Sequence, residues 1–239
     1  MGKSWVKESL LLGMSLCVGS LILGGLLGRS LIEFKEYERS VTVKGLAERE
    51  VEADIAIWPI EFISAGNELE GLYEDLEAKT GLVVDFLREE GFEESEITVN
   101  VPSIDDKQAR GHVDPSKIQF RYSATQIVTI YSRNVARVRE SKKDLIRLGK
   151  AGLALSEGGY RSRTEYIFSG LNEIKPGMVE EATRKAREVA EKFAQDSNSE
   201  LGKIKRARQG QFSITDRDSN NPHIKKVRVV NTVEYYLSD

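Results

Sequence analysis

An uncharged apolar stretch near the N-terminus restricts this chain more than any other feature of its sequence. Between Glu8 and Arg29 the chain reads SLLLGMSLCVGSLILGGLLG, without one charged side chain. A helix of this length, at about 1.5 Å per residue, spans the roughly 30 Å hydrocarbon core of a bilayer. The hydrophobic part of a cleaved signal peptide is shorter, at roughly 7–15 residues. The stretch therefore predicts an uncleaved signal anchor.

Cleavage as a secretory signal is the competing interpretation, and it would release the domain into the periplasm. Gly24 and Gly25 offer small residues for cleavage, although the chain lacks an Ala-x-Ala sequence there. Cys17 lies inside the apolar run with no lipoprotein-type sequence before it, which disfavours a lipoprotein. With the anchor retained, the predicted segments are a cytoplasmic tail (1–8), a transmembrane helix (9–28), a linker (29–39) and a globular domain (40–239).

The charges that flank the apolar stretch indicate its orientation only weakly. Lys3 and Lys7 precede it, whereas Arg29, Lys35 and Arg39 follow it among acidic residues. Cytoplasmic segments usually carry more Lys and Arg than segments on the other side of the membrane. Because the two flanks here carry similar numbers of these residues, they barely indicate which end is cytoplasmic. Because a short N-terminal tail usually leaves the following domain translocated, we predict a single-pass inner-membrane protein with its domain on the periplasmic side.

Small residues form a stripe along the predicted membrane helix. Ser20, Gly24 and Gly28 stand four residues apart, the spacing that lets two membrane helices approach closely. The general abundance of glycine in membrane helices explains the same pattern without a partner, and we give it somewhat more weight. Dimerisation through this stripe remains the alternative.

From residue 40 onwards the hydrophobic residues alternate between the period of a strand and that of a helix. The predicted strands cover 40–51, 55–64, 97–101, 120–132, 164–171, 203–214 and 225–237. The predicted helices cover 67–91, 135–148 and a segment from Pro176 onwards, and 103–117 is predicted as a loop or a long hairpin connection. Paired strands with interspersed helices indicate an α+β domain, in which helices cover one face of a largely antiparallel sheet.

Individual residues carry more specific structural expectations. Gly45, inside the first strand, predicts a bulge or the close approach of another backbone. Pro59 predicts that the second strand is an edge strand or is bulged. Asn67 with Glu70 resembles a capping box at the start of a helix, and Pro176 fits the first turn of the last helix.

Composition argues against several classes of function. Lys and Arg number 35 against 38 Asp and Glu, a net charge of −3, so no overall positive field attracts nucleic acid. The only cysteine lies in the apolar stretch, so the domain has neither a disulfide nor a thiol nucleophile. His112 and His223 are far apart and follow no metal-binding or hydrolytic spacing. We predict no metal, no cofactor and no catalytic residues.

Three weaker features are interpreted as structural. Asp105, Asp106 and Asp114 fit a solvated acidic loop better than a defined cation site, and Gly158-Gly159 fits a turn. Two basic stretches could attract phosphates or anionic lipid headgroups if their strands pair. Because the overall charge is balanced, we favour solvent-facing positions opposed by nearby acids. The basic stretches comprise Lys203, Lys205, Arg206 and Arg208, and Lys225, Lys226 and Arg228.

Four segments together resemble the SIMPL-domain family over nearly all of 40–239. VTVKGLAEREVEADIAIW is similar to the family's first two strands, and FRYSATQIVTIYSR to a strand with a Tyr-x-Ala/Ser sequence. EEATRKAREVAEKFAQDSNSELGKI is similar to its Ala- and Lys-rich C-terminal helix, and KKVRVVNTVEYYL to its terminal strand. Two features differ from the family pattern. Ala53-Asp54 stands where Pro-Asp is common, and the long Gly/Pro-rich insertion that many members carry before the last strand is only a short loop here.

The resemblance implies a bacterial envelope protein of unassigned biochemistry and brings no catalytic residues. Some members are described as periplasmic immunogenic or oxidative-stress-defence proteins, and at least one is thought to form large ring- or channel-like oligomers. We therefore favour a non-catalytic, membrane-anchored structural or interaction module that forms homo-oligomers. Its predicted self-association surface is the apolar strand 55–64, with Trp58 and Phe62. The alternatives are an enzyme using the Tyr/Arg cluster at 160–166 with carboxylates, and a binder of small envelope ligands.

Overall fold

The computed structural model describes residues 3–36, 39–109, 119–156 and 162–238, with side chains of the first helix described from 13 to 30. The chain divides into two compact units. Unit 1 comprises 1–48, 175–213 and 228–239, and unit 2 comprises 49–174 and 214–227. The globular domain predicted over 40–239 therefore consists of two units, each with its own hydrophobic cluster.

Helices and antiparallel sheets make up both units, which confirms the predicted α+β class. The helices are α1 (Lys3–Glu36), α2 (Leu69–Glu89), α3 (Val135–Ser141), α4 (Ile146–Lys150) and α5 (Leu171–Asp196), with 3₁₀ turns at Glu94–Glu96 and Lys142–Leu145. The strands are β1 (Ser40–Glu52), β2 (Ile55–Gly66), β3 (Ile97–Val99), β4 (Ser103–Asp106), β5 (Tyr122–Ser132), β6 (Ala154–Leu155), β7 (Glu165–Ile167), β8 (Glu200–Arg208), β9 (Ser213–Asp216) and β10 (Ile224–Ser238).

Helix α1 contains the predicted membrane segment. Its residues Gly13–Ser30 are long and apolar enough to cross a membrane, by length and composition, and they are not buried against the rest of the chain. The helix continues to Glu36, so most of the predicted linker 29–39 is helical.

Unit 1 is built on a close contact between α5 and β1. In its sheet the strand order is β1-β10-β8, and β9 also pairs with β10. A Cβ placed on Gly45 of β1 would lie 1.8 Å from the carbonyl oxygen of Ala182 and 2.5 Å from the amide nitrogen of Ala186. Only a glycine facing alanines allows two backbones to come this near, which confirms the predicted close approach at Gly45.

Unit 2 has a sheet with the strand order β3-β5-β2-β6, to which β4 and β7 add on β5 and β2. β2 and β5 pair over their full lengths, from Ala56 opposite Ser132 to Gly66 opposite Tyr122. Alternate residues of both strands are buried, and they share one cluster with residues of α2, α3 and α4. The helices thus cover one face of the sheet, as predicted.

The self-association surface predicted at Trp58 and Phe62 is not a surface. Both side chains belong to the hydrophobic core of unit 2 and are 2% and 0% exposed. Side chains alternate along a strand, so the apolar residues of β2 divide between the core and the opposite face. Trp58 and Phe62 point to the core, and self-association cannot use them unless unit 2 opens.

Several local predictions were also wrong, each because a tertiary contact decides the structure. Glu68 rather than Asn67 caps α2, without a side-chain hydrogen bond, and Asn67 Oδ1 instead accepts from the Arg121 amide at 2.9 Å. Pro176 lies inside α5, not in its first turn. The predicted strand 203–214 is divided between β8 and β9. The segment 103–117 begins with β4, which pairs antiparallel with β5 and so agrees with the hairpin alternative rather than with a loop.

Candidate functional site

Unit 2 contains a cleft of about 930 Å³ beside β2. On this side of β2, β7 pairs with Ile55, Ala56 and Ile57, whereas β6 pairs with Phe62 and Ile63. Among the described residues, no strand pairs with 58–61 between them on this side. These four residues line the cleft. The cleft therefore lies at an interruption of the sheet.

Pro59 fits this interruption. The Ser156 amide donates to the carbonyl of Glu61 at 2.8 Å, so the main-chain groups of Glu61 face the cleft side of β2. Those of Pro59, two residues earlier, face the same side because the direction alternates along a strand. Pro59 has no N–H to leave unpaired there. The expectation of an edge at Pro59 holds locally, because no described strand pairs with 58–61 on the cleft side of β2. The alternative of a bulge was wrong, since β2 pairs without a shift on β5.

Cationic side chains dominate the described lining of the cleft. Four cations face it, against the single carboxylate of Glu61. Three of the cations are spaced i, i+3 and i+4 on α3 and the 3₁₀ turn that follows, a spacing that places them on one helical face. The cations are Arg139, Lys142, Lys143 and Arg163.

These cations differ in how far they are neutralised. Lys143 Nζ lies 2.7 Å from the carboxylate of Glu140, and the guanidinium of Arg163 lies 3.5 Å from that of Asp216. Lys142 Nζ donates to Thr164 Oγ1 at 2.7 Å. Arg139 makes no hydrogen bond or ion pair with any residue that the structure describes. A positive charge is therefore left available in the cleft.

Tyr166 and His223 form the aromatic wall of the cleft. Their rings meet edge to face with centroids 6.0 Å apart. Burial, and then the positive charge of Arg139, lower the pKa of His223. Burial raises the pKa of Tyr166, with Arg139 acting in the opposite direction. Both rings are therefore uncharged at neutral pH and can exchange neutral hydrogen bonds with a ligand.

The loop that brings His223 to the cleft is held by Asp218. Its carboxylate accepts hydrogen bonds from the amides of Asn220 and Asn221, each at 2.9 Å, and from Arg217 Nε at 2.8 Å. The hydrogen bond from Arg217, together with those from Asn220 and Asn221, lowers the pKa of Asp218 to about 2, and burial acts in the opposite direction. The His223 carbonyl also accepts from the Ala53 amide at 2.8 Å, which fixes the end of the loop.

The remaining lining combines apolar and hydroxyl groups. Leu155 and the edges of the core residues Trp58, Ile60 and Leu145 give the apolar part of the lining, and hydroxyls come from Ser156, Ser162, Thr164 and Ser219. Ligand sites commonly have such an apolar lining with a few converging polar groups. With the cation excess, the chemistry suits a small anion that carries an apolar part.

The described part of the cleft contains no histidine-activated nucleophile. No serine or threonine hydroxyl there is hydrogen-bonded to His223, as an activated nucleophile requires. The described residues also contain no group of three His, Cys, Asp or Glu side chains that could hold a metal ion.

The structure brings together part of the predicted Tyr/Arg cluster. Arg163 and Tyr166 reach the cleft, and Tyr160 lies outside the described residues. His223, which follows no metal-binding or hydrolytic spacing in the sequence, lies beside them. The sequence analysis did not identify Arg139, Lys142 and Lys143 as site residues, although their i, i+3, i+4 spacing is visible in the sequence.

Other predicted features lie away from the cleft. Asp106 forms an ion pair with Arg121 at 2.9 Å, whereas His112, Asp114 and Gly158-Gly159 lie outside the described residues. No atom lies within 4 Å of a Cβ built on Gly24 or Gly28, the two glycines of the stripe with Ser20. The dimerisation proposed for that stripe remains a prediction.

Comparison with known proteins agrees with the resemblance in the sequence. The SIMPL family model, described as a protein of unknown function (DUF541), matches residues 41–233. No curated protein matches the chain. The family match covers both units, including the strands that border the cleft, and it assigns no activity. The chain belongs to the SIMPL family.

Proposed function

We propose that this chain is a membrane-tethered domain of the cell envelope that binds an anionic ligand in the cleft of unit 2 without transforming it. The observation that carries the proposal is the unneutralised Arg139 in a cleft that has four cations and one carboxylate among its described residues. A guanidinium with no protein partner can donate several charge-assisted hydrogen bonds to a phosphate or carboxylate.

Helix α1 and the envelope association of the family support the proposed location. In this proposal α1 is an uncleaved signal anchor in the inner membrane, and both units lie on the periplasmic side. A cleft in that position can bind a small periplasmic anion while the chain stays at the membrane. A connection to oxidative-stress defence rests on the family resemblance alone.

Calorimetric titration of the full chain in non-ionic detergent with p-nitrophenyl phosphate, a soluble aromatic phosphate monoester, tests the proposal. We expect wild-type protein to bind and Arg139→Gln to bind about tenfold more weakly, because a hydrogen bond to a charged group contributes about 1.5–3 kcal/mol. Arg184→Gln, which removes an exposed arginine of α5, is the matched control and should bind like wild type.

Two results would contradict the proposal. If wild-type protein does not bind the probe, or if Arg139→Gln binds it as tightly as Arg184→Gln does, the cleft is not the anion site. Release of coloured p-nitrophenol would show turnover instead and would favour the enzyme alternative.

A second candidate function, self-association, is supported by the outer face of the unit 2 sheet. Ile63, Tyr131 and Ile167 lie on the face opposite the core and are 41%, 49% and 39% exposed. We propose a second copy of the chain as the occupant, because the family resemblance implies oligomers. Tyr131→Lys should lower the protein mass that light scattering measures in detergent. Tyr73→Lys on α2, which is equally exposed at 49%, should not; an equal mass for both variants would exclude this face.

A further inference from the structure

Strand β8 of unit 1 is unusually exposed and basic. Every residue of β8 except Leu201 is exposed. Leu201 is also the only residue of β8 that packs against the hydrophobic cluster formed by β1, α5 and β10. The strand carries four cations within 203–208, here called the basic strip: Lys203, Lys205, Arg206 and Arg208.

The strand register places much of the basic strip on one face of the sheet. Arg206 lies opposite Glu234 and Arg208 opposite Thr232. The alternate β10 residues Val233 and Tyr235 are buried on the α5 side, so Arg206 and Arg208 lie on the other face. Lys205 joins them there, with Nζ 3.2 Å from the Glu234 carboxylate and 5.6 Å from the ring centroid of Tyr236.

Glu234 neutralises only part of this charge. Its carboxylate accepts from Ser40 Oγ at 2.6 Å and pairs with Lys205. Lys203, Arg206 and Arg208 make no ion pair with residues that the structure describes. Within the described chain, ion pairs with acids are therefore absent at three of the four cations, although Arg206 lies opposite Glu234. Exposed Tyr236 lies on the same face as Lys205, and tyrosine is enriched at membrane–water interfaces.

The register also relates the basic strip to the point where the chain leaves α1. Helix α1 ends at Glu36, and β1 begins at Ser40. The Leu237 amide donates to the Arg39 carbonyl at 2.9 Å, and Leu237 lies opposite Leu201 near the start of β8. The basic strip therefore begins near the end of the sheet that follows α1. The helical residues between Arg29 and the end of α1 extend about 10 Å beyond the predicted membrane segment, at about 1.5 Å per residue. This length is close to the Debye length of roughly 8 Å, the distance over which charges in solution still interact.

We infer that the basic strip binds the anionic phospholipid headgroups of the membrane that α1 spans. The inference rests on the membrane anchoring of the proposed function, and it is independent of the cleft. A cation near an anionic membrane surface raises the binding constant about fivefold. The tether supplies proximity, and the basic strip sets which face of unit 1 lies on the lipid.

The test is hydrogen–deuterium exchange of the full chain in nanodiscs. Discs of phosphatidylcholine are compared with discs that also contain phosphatidylglycerol. We expect phosphatidylglycerol to slow exchange in β8 at least about threefold, since several cations contribute, and to leave α5 unchanged. Arg206→Gln with Arg208→Gln should reduce the difference clearly, because it removes two of the four cations. Arg184→Gln with Lys192→Gln, which removes two exposed cations of α5, should preserve it.

Equal exchange of β8 in the two kinds of disc would overturn the inference, as would an effect of phosphatidylglycerol that is undiminished in Arg206→Gln/Arg208→Gln. Extraction of protein-loaded vesicles with alkaline carbonate tests the anchoring separately. Protein that is stripped from the vesicles would show that α1 does not span, whatever the exchange of β8.

Discussion

Unit 1 and unit 2 solve the same packing problem, a helix on a sheet, with opposite kinds of side chain. In unit 1 the contact consists of Gly45 and the alanines of α5, and a helix backbone lies directly on a strand. In unit 2 large side chains such as Trp58, Phe62 and Phe92 separate the helices from the sheet. The first arrangement leaves no room for an added atom, and the second leaves a cavity when atoms are removed.

The difference bears on where a ligand site can form. Backbone-to-backbone packing such as that at Gly45 fills the space between its layers. Bulky residues space the layers of unit 2, and the interruption beside Pro59 opens its sheet on one side. The cleft is therefore found in the unit with the larger side chains. Unit 1 offers instead a surface, the basic strip.

The largest effect is expected where the packing is tightest. In Gly45→Ala the new Cβ would meet backbone atoms of α5, so the helix itself must shift. We expect a loss of more than about 4 kcal/mol in the free energy of unfolding, which is exceptional for one substitution. Urea denaturation followed by circular dichroism measures it.

Gly81→Ala in α2 is the matched control, because no atom lies within 4 Å of its new Cβ. That variant should be more stable than wild type by roughly 0.5–1 kcal/mol, since alanine favours a helix interior. If Gly45→Ala is as stable as wild type, the close approach of α5 to β1 does not exist.

The second prediction removes volume from unit 2. Phe62→Ala should cost about 3–4 kcal/mol, from lost burial and the cavity that remains. Ile63→Ala, the next residue on β2, should cost less than Phe62→Ala because it points to the outer face and is 41% exposed. The same denaturation experiment measures both, and equal losses would mean that the two faces of β2 are wrongly assigned.

Local patterns in the sequence predicted the elements well, and Gly45 shows why. A glycine within an alternating strand and an alanine-rich helix each leave a signature in a few neighbouring residues. Pro59 left a signature too, but its meaning depended on residues far along the chain. A missing N–H fits an edge strand, and it fits equally well a gap between β6 and β7. Periodicity cannot distinguish the two.

The cleft could not be predicted because its parts are separated in sequence. Arg139 lies on α3, Tyr166 on β7 and His223 in the loop before β10. Each residue has an ordinary local explanation, as a helix-surface cation, a strand aromatic and a loop histidine. Tyr166 comes to the cleft through the pairing of β7 with β2, and His223 through the hydrogen bond of its carbonyl with the Ala53 amide. Contacts between such distant segments leave no short-range signal.

The smallest effect concerns the loop of unit 2 that Asp218 holds. The folded-state pKa of Asp218, about 2, is below the ordinary aspartate value of about 3.9. A carboxylate whose pKa is lower in the folded state stabilises that state fully at pH values above its unfolded-state pKa. This stabilisation is lost as the pH falls through the folded-state pKa. The stabilisation by Asp218 should therefore be complete above about pH 4 and vanish towards pH 2.

Asp218→Asn isolates that contribution, because the other carboxylates titrate alike in both proteins. Thermal midpoints of wild type and variant should differ by a constant amount from pH 7 to about pH 4, and the difference should shrink at lower pH. Asp144→Asn, at an exposed position on the 3₁₀ turn after α3, should behave as an ordinary surface substitution at pH 7. A difference between wild type and Asp218→Asn that stays constant down to pH 2 would show that the charge of Asp218 does not hold the loop. Weaker binding of p-nitrophenyl phosphate by Asp218→Asn at pH 7, with its midpoint little changed, would connect the same loop to the cleft.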